Sequence, residues 1–204
     1  MNIVKLTDKI WNYQNLDLDT NFIINELNDE NRSSNWFDYT NGFLLDGTEY
    51  EATVKGEAIC VFPDSRVFKE IFNVIKQCVE NYLELNNDPI DIGNLDINPI
   101  DSKGNTRSTH VMIRKYLPGT TMTPHHDAIL SNGGGYTILL YLNDDYEGGE
   151  LNFNDENFSV KPPASSILIF PERTMHEILF LKSGKRYMTA AYIFKKYPSE
   201  VAGV

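Results

Sequence analysis

Three side chains have the types and spacing to bind one metal ion. His125 and Asp127 stand two positions apart, with His126 between them. If the chain is extended here, His125 and Asp127 lie on one face of a strand and His126 points the other way. His176 is the best third ligand, because the chain has only 4 histidines and His110 belongs to no such pattern.

Two imidazoles and one carboxylate leave several coordination positions of a metal ion open. Non-haem Fe(II) oxygenases use this ligand set and bind a co-substrate and O2 at the open positions. Zinc accepts the same ligands but prefers a tetrahedral site, so the ligand types alone leave both metals open. Arg186 follows ten positions after His176 and precedes the largely apolar residues 187–192. A buried guanidinium needs an anion, and the pair of sites suits a dicarboxylic 2-oxo acid that chelates the metal.

The order of these residues, taken with their neighbours, resembles a known enzyme family. The series is Tyr116, His125-x-Asp127, Tyr141-Leu142-Asn143, Gly148-Gly149-Glu150-Leu151-x-Phe153, Phe170-Pro171, His176 and Gly184-x-Arg186. It resembles the 2-oxoglutarate/Fe(II) dioxygenases of the prolyl 4-hydroxylase type over roughly residues 109–196. A lone His-x-Asp is common by chance, whereas the whole ordered series is specific.

The resemblance implies an iron centre and a co-substrate site. Fe(II) would be held by His125, Asp127 and His176, and the distal carboxylate of 2-oxoglutarate would pair with Arg186. O2 would take the last open position, and the reaction would release succinate and CO2. In this family ascorbate re-reduces stalled iron, so ascorbate is an expected further cofactor. No side chain need act as a general base.

Two tyrosines match family positions whose phenols donate to the 2-oxo acid. They are Tyr116 and Tyr141. Each is also typical of an amphipathic core residue, and we favour the co-substrate role. His126 is expected to lie beside the metal ligands without binding the metal. The pair Trp36 and Tyr39 suggests either packing under the barrel, which we favour, or the wall of a substrate groove.

The predicted reaction is hydroxylation of a C–H bond, most simply in a prolyl residue of a peptide or protein. One alternative keeps the chemistry and moves it to another amino acid or small molecule. Another is a metal-binding jelly roll without catalysis, which would have little use for Arg186. A zinc hydrolase on the same ligands would need a general base near the metal-bound water, and Glu177 should point away from His176 by alternation.

The elements that position these side chains change type along the chain. A short helix is predicted from Asp19-Thr20 through Glu30, after a strand near residues 3–6. Apolar residues at three- and four-residue spacings predict a longer helix, which opens at Pro63-Asp64-Ser65 and ends near Leu85. Eight strands follow, predicted at 109–117, 122–128, 136–143, 149–153, 157–161, 166–170, 175–182 and 186–195.

This pattern predicts a mainly β, α+β fold, a double-stranded β-helix or jelly roll. The resemblance adds that the N-terminal helices pack on the outside of the barrel. We expect a single domain over residues 1–204, in which residues 1–107 support a jelly-roll core at 108–196. The Asn-, Asp-, Pro- and Gly-rich segment 86–105 is expected to be an irregular linker near the active-site mouth. The segment 131–135 suggests either a flexible rim over the substrate or merely a turn.

Composition narrows the partners of the chain. A net charge of −11 argues against nucleic acid as the main partner. No apolar run approaches the roughly 18 residues of a membrane span, and residues 1–11 lack the apolar core of a signal peptide. Cys60 and Cys78 are expected to be reduced. We therefore expect a cytoplasmic protein that acts on a peptide or protein, with a small amino acid as the alternative.

Overall fold

The computed structural model describes residues 1–29, 35–38, 52–96, 110–127 and 134–194. Within them the N-terminal half forms β1 (Asn2–Lys5), β2 (Trp11–Gln14), α1 (Thr20–Leu27), β3 (Phe37–Asp38), β4 (Ala52–Thr53), β5 (Gly56–Val61), α2 (Arg66–Leu85), a 3-10 turn (Ile92–Asn94) and β6 (Leu95–Asp96). The C-terminal half forms β7 (Val111–Tyr116), β8 (Thr121–His125), β9 (Gly135–Tyr141), β10 (Glu147–Gly148), β11 (Leu151–Phe153), β12 (Phe158–Val160), β13 (Ser166–Pro171), β14 (His176–Ile178), β15 (Leu181–Ser183) and β16 (Arg186–Phe194).

Both helices begin at side-chain caps that the sequence signals. The Asp19 carboxylate accepts from the Phe22 backbone N–H at 2.9 Å, and the Ser65 hydroxyl accepts from that of Phe68 at 3.3 Å. The predicted end of α2 agrees with the structure. Its buried stripe is Val67, Ile71, Val74, Ile75, Cys78, Val79, Tyr82 and Leu83. Neither helix of the described residues combines the length and apolar character that a membrane crossing requires.

The strands form two main sheets and a short ribbon, and each pairing among the described strands is antiparallel. The large sheet has the order β1-β2-β13-β9-β16-β7-β5-β3, with β6 also paired to β16. The smaller sheet has the order β12-β11-β14-β8-β4, and β10 pairs with β15. The fold is mainly β, consistent with a jelly roll.

The large sheet has two buried faces because alternate residues of its central strands enter different cores. On β9, Ile138 and Leu140 share a cluster with the buried residues of α1 and α2. Leu139 and Tyr141 belong instead to a cluster with residues of the smaller sheet, such as Phe153. We call these the helix face and the inner face. Side chains on the inner face lie between the two sheets.

One predicted strand, 175–182, is divided into β14 and β15. The chain leaves the smaller sheet at residues 179–180, where the Phe180 carbonyl accepts from the Gly149 backbone N–H at 3.1 Å. Gly148 has a φ of +71°, and a Cβ added to it would lie 2.2 Å from the Phe180 oxygen. The Gly148-Gly149 pair therefore permits a close backbone approach that ends the strand.

Among the described strands of four or more residues, β2 and β5 were not predicted, and both are largely buried. All of β2 except Gln14 is buried, and it pairs with β13 in the large sheet. The strand β5 pairs with β7 and buries residues toward both faces. Without alternation of polar and apolar residues, periodicity gives no signal that separates such a strand from other apolar runs.

Trp36 packs on the helix face. The Trp36 ring lies 6.2 Å from that of Tyr187, and the Lys115 ammonium lies 4.3 Å from its centroid. For Trp36, these contacts support the packing interpretation rather than a place in the wall of a substrate groove. Tyr39 lies outside the described residues, as do residues 97–109 and 128–133. Cys60 and Cys78 are free thiols.

Candidate functional site

Strand register brings the two histidines together. His125 ends β8, His176 begins β14, and the two residues are directly opposite in the antiparallel pairing. Their ring centroids are 4.4 Å apart. Asp127 is held beside them because its backbone N–H donates to the Glu172 carbonyl at 2.8 Å. One ligand atom from each of His125, Asp127 and His176 lies within 4.8 Å of the others, so the three could hold a metal ion.

Each imidazole is oriented by a hydrogen bond between its Nδ1 and a backbone carbonyl. Nδ1 of His125 lies 2.8 Å from the Thr123 carbonyl, and Nδ1 of His176 lies 2.9 Å from the Thr174 carbonyl. Because a carbonyl oxygen only accepts, each Nδ1 must carry the proton in these bonds. In the neutral ring Nε2 then keeps its lone pair, which is the donor that a metal ligand requires.

The surroundings favour a neutral imidazole at His125. Burial lowers the pKa of His125, and His176 lowers it further, although Asp127 acts in the opposite direction. His176 is only 4% exposed, and the Phe170 ring packs against it with centroids 5.1 Å apart. A neutral imidazole, as favoured for His125, is the state that binds a metal without first losing a proton.

Thr137 supports Asp127 and was not predicted from the sequence. It lies on β9, is fully buried, and its hydroxyl donates to Asp127 Oδ2 at 2.7 Å. The same oxygen lies 3.7 Å from His176 Nε2. The hydroxyl therefore holds the same carboxylate oxygen that lies beside the His176 imidazole. A threonine in an apolar strand carries no pattern that identifies this contact.

Thr137→Val is expected to weaken metal binding by roughly 10- to 100-fold, because hydrogen bonds to a ligating carboxylate hold it in position. Fe(II) or Mn(II) titration under anaerobic conditions measures the change. Thr189→Val is the matched control, since it removes an equally buried hydroxyl that donates to the Met112 carbonyl. Equal metal affinities for the Thr137 variant and the wild type would contradict the supporting role.

Arg186 lies on the inner face at the start of β16 and is 1% exposed. Its guanidinium donates to the Gly149 carbonyl at 3.1 Å and to the Tyr141 hydroxyl at 3.2 Å. The guanidinium carbon lies 5.0 Å from the Tyr141 ring centroid and 5.5 Å from that of Tyr116, the residue opposite it in register.

No acidic partner of Arg186 occurs among the ion pairs of the described chain. Its Nε is buried without a hydrogen-bond partner. A buried, permanently charged group without an anion is costly. The arrangement therefore fits an anion that the chain itself does not supply.

Strand β9 connects the two groups. Thr137, beside Asp127, and Tyr141, beside Arg186, both belong to its inner face. Four residues of strand place their Cα atoms about 13 Å apart. Between them Leu139 pairs with Ala190 of β16, a small side chain. The possible metal ligands and the unpaired cation thus lie toward opposite ends of one interior.

Three other polar residues do not join the ligand group. The Glu177 carboxylate accepts from the side-chain amides of Asn152 and Asn154 at 2.7 and 2.8 Å. His126 has its Nδ1 buried without a hydrogen bond, and it is outside the ligand group. His110 packs its ring 5.5 Å from that of Phe62. Glu177 is therefore poorly placed to serve as a general base.

Comparisons with known proteins find similarity over the part of the chain that holds these residues. Residues 111–194 match the model of the 2OG-Fe(II) oxygenase superfamily. A PKHD-type hydroxylase of Picosynechococcus sp. is 30% identical over 94 residues, which are 43% of this chain and 43% of that protein. The chain spans less than half the length of the curated relatives that it matches.

Solved structures of prolyl hydroxylases share the fold. A Trichoplax adhaerens prolyl hydroxylase, in complex with a hypoxia inducible factor peptide fragment, superposes with a TM-score of 0.61 at 20% identity, over 93% of this chain and 84% of that one. A Pseudomonas putida prolyl-4-hydroxylase gives a TM-score of 0.55 at 12% identity, over 85% and 84%. Residues 111–194 of this chain, which include His125, Asp127, His176 and Arg186, therefore resemble the 2OG-Fe(II) oxygenase superfamily, and the chain shares its fold with prolyl hydroxylases.

Proposed function

We propose that this chain is a 2-oxoglutarate- and Fe(II)-dependent dioxygenase that hydroxylates a C–H bond of its substrate. The observation that carries the proposal is a buried arginine without an acidic partner in the described chain, facing the same interior as a two-histidine, one-carboxylate group. Three protein ligands leave room for a chelating co-substrate and O2. The guanidinium of Arg186 would pair with the second carboxylate of a dicarboxylic co-substrate.

The residues present fit this iron and co-substrate. His125 and His176 offer Nε2, because their Nδ1 atoms donate to backbone carbonyls. Asp127 supplies the carboxylate, held by Thr137. When bound, Fe(II) and 2-oxoglutarate supply the oxidising chemistry that consumes O2 and releases succinate and CO2 with the hydroxylated product. Ascorbate is proposed as the reductant that keeps the iron ferrous, on the family resemblance alone.

Arg186 binds and orients the far end of 2-oxoglutarate. Its planar fork matches a carboxylate and carries a permanent charge. Tyr141 already shares a hydrogen bond with the guanidinium, and Tyr116 places its ring beside it. Burial raises the pKa of Tyr141, although Arg186 acts against this. The phenol is therefore a hydrogen-bond donor at neutral pH.

We extend the proposal to the architecture of the chain. It forms a single domain in which residues 1–107 support a jelly-roll core at 108–196. The two N-terminal helices pack on the outside of that jelly roll. The helix face supports this, since one hydrophobic cluster joins Ile23 and Ile71 of the helices to Ile113 and Ile138 of the sheet.

The substrate that we propose is a prolyl residue of a peptide or protein. Prolyl hydroxylases recur among the structural neighbours, and the Trichoplax enzyme was solved with a peptide fragment. The alternative is a hydroxylase of another amino acid or small molecule with the same iron chemistry. A metal-binding module without catalysis is less well supported, because it leaves the buried charge of Arg186 unexplained.

Anaerobic titration tests the iron and co-substrate assignment. Adding Fe(II) and then 2-oxoglutarate should produce the visible charge-transfer band of the chelate, and omitting either should abolish it. After O2 is admitted, succinate release should rise with proline-containing peptides and not with peptides that carry Ala at the same position. Absence of the band would contradict the whole proposal. A band with no peptide response would remove only the prolyl substrate.

A further inference from the structure

A second buried donor near Arg186 lacks an acceptor. Tyr146 lies between β9 and β10 and is 3% exposed. Its hydroxyl oxygen is buried without a hydrogen-bond partner, as is Arg186 Nε. Buried polar groups are nearly always satisfied, so two orphaned donors in one region point to a missing acceptor. Nothing in the sequence series that resembles the family includes this tyrosine.

Gly149 places the Tyr146 ring beside the guanidinium. Its carbonyl accepts from Arg186 Nη1 at 3.1 Å. A Cβ added to the same glycine would lie 3.7 Å from Tyr146 Cε2, the ring carbon next to the one that bears the hydroxyl. Tyr146 also belongs to the same inner cluster as Tyr116 and Tyr141. The hydroxyl end of the ring thus lies on the Arg186 side of the interior.

Contacts to the ring and backbone of Tyr146 fix its position, so the hydroxyl stays buried. The Lys161 ammonium lies 4.5 Å from its centroid and donates to the Tyr146 carbonyl. The Tyr146 Cα would be 2.8 Å from a Cβ added to Gly184, two residues before Arg186. Burial raises the pKa of Tyr146 well above its ordinary value, outweighing the opposing effect of Arg186. The phenol therefore remains protonated, as a donor.

We propose that Tyr146 donates its hydroxyl hydrogen to the distal carboxylate of the bound 2-oxo diacid, beside Arg186. This rests on the proposed function. A carboxylate has about four lone-pair sites, enough to accept from both groups. A 2-oxo acid with an apolar tail would leave both donors unsatisfied, which is the condition under which a polar site rejects a ligand strongly. Tyr146 is thus a specificity-determining residue for diacids.

Tyr146→Phe tests this, because it removes the hydroxyl and keeps the ring. The affinity of the Fe(II) protein for 2-oxoglutarate should fall roughly 10- to 100-fold, as for the loss of one hydrogen bond to a charged group. The affinity for 2-oxopentanoate, which has the same chain length and no distal carboxylate, should not fall, because the variant removes a donor that this acid leaves unsatisfied. Both are measured by the anaerobic charge-transfer titration.

A metal-free measurement separates binding from assembly of the iron site. The shift in unfolding temperature caused by 2-oxoglutarate should shrink in Tyr146→Phe, without iron and without turnover. Tyr187→Phe is the matched control, because its hydroxyl lies on the helix face against Asn28 and should not affect either acid.

Two outcomes would overturn the inference. In one, Tyr146→Phe binds 2-oxoglutarate as tightly as the wild type. In the other, the affinities of the variant for 2-oxoglutarate and for 2-oxopentanoate fall by the same factor, which indicates a structural role. Either result leaves the proposed function standing if the wild-type protein binds 2-oxoglutarate. If the wild type binds neither acid, the proposed function itself fails, and the two failures are distinguished.

Discussion

Asp127→Ala is expected to abolish 2-oxoglutarate-dependent succinate release and to weaken Fe(II) binding by more than about 100-fold. Loss of a residue that merely orients a ligand costs roughly 10- to 100-fold, and Asp127 is proposed to be a ligand itself. It is also the only carboxylate in the described group. Without it the two neutral imidazoles must bind a dication with no compensating negative charge. Anaerobic Fe(II) titration and a succinate assay measure the two effects.

The matched control for this change is Asp155→Ala. Asp155 is an exposed acid in the turn between β11 and β12, so its removal changes the net charge equally and should leave both measurements unaltered. The unfolding temperature of each variant verifies that the fold persists. Iron-dependent turnover by the Asp127 variant at the wild-type rate would exclude this carboxylate as a ligand.

The first two proposed metal ligands could be predicted to lie together because they are local in sequence. His125 and Asp127 are two residues apart, and alternation along a strand puts them on one side of it. His176 could be selected by residue type, but its position depends on the pairing of β14 with β8. That register is set by the two strands and their turns together. The resemblance of the ordered residue series to the family linked His176 to the other two residues, which local geometry alone could not do.

Thr137 and Tyr146 could not be predicted, since neither is recognisable without the tertiary structure. In the sequence, Thr137 is an ordinary β-branched strand residue. Its hydrogen bond to Asp127, which follows a different strand, is recognisable only in the structure. Tyr146 reads as an aromatic core residue, and only its burial without an acceptor distinguishes it. Such contacts depend on which strand faces which.

The fold could be predicted where one face of an element differs from the other. The helix α2 has one buried stripe, which gives a clear period of 3.6 residues. The strand β5 has buried residues toward both faces and gives no such period. The break between β14 and β15 depends on the close approach of Gly148 to Phe180, a contact between segments that are distant in sequence.

Arg186→Met is expected to weaken 2-oxoglutarate binding by roughly 30-fold or more, while Fe(II) binding stays close to that of the wild type. Removing one partner of a buried, hydrogen-bonded charge pair costs about 2–5 kcal/mol. Methionine keeps much of the side-chain length and apolar stem, so the change mainly removes the charge and the donor fork. Anaerobic titrations with Fe(II) and then with 2-oxoglutarate measure the two affinities separately.

Two further variants identify which property of Arg186 matters. Arg186→Lys keeps the charge but not the planar fork, so its affinity for 2-oxoglutarate should lie between those of the wild type and the methionine variant. Lys185→Ala removes an exposed neighbouring cation and should have no effect. If Arg186→Met binds 2-oxoglutarate as the wild type does, the buried cation is not the anchor. Its burial among Tyr116, Tyr141 and Tyr146 would then need a different anion.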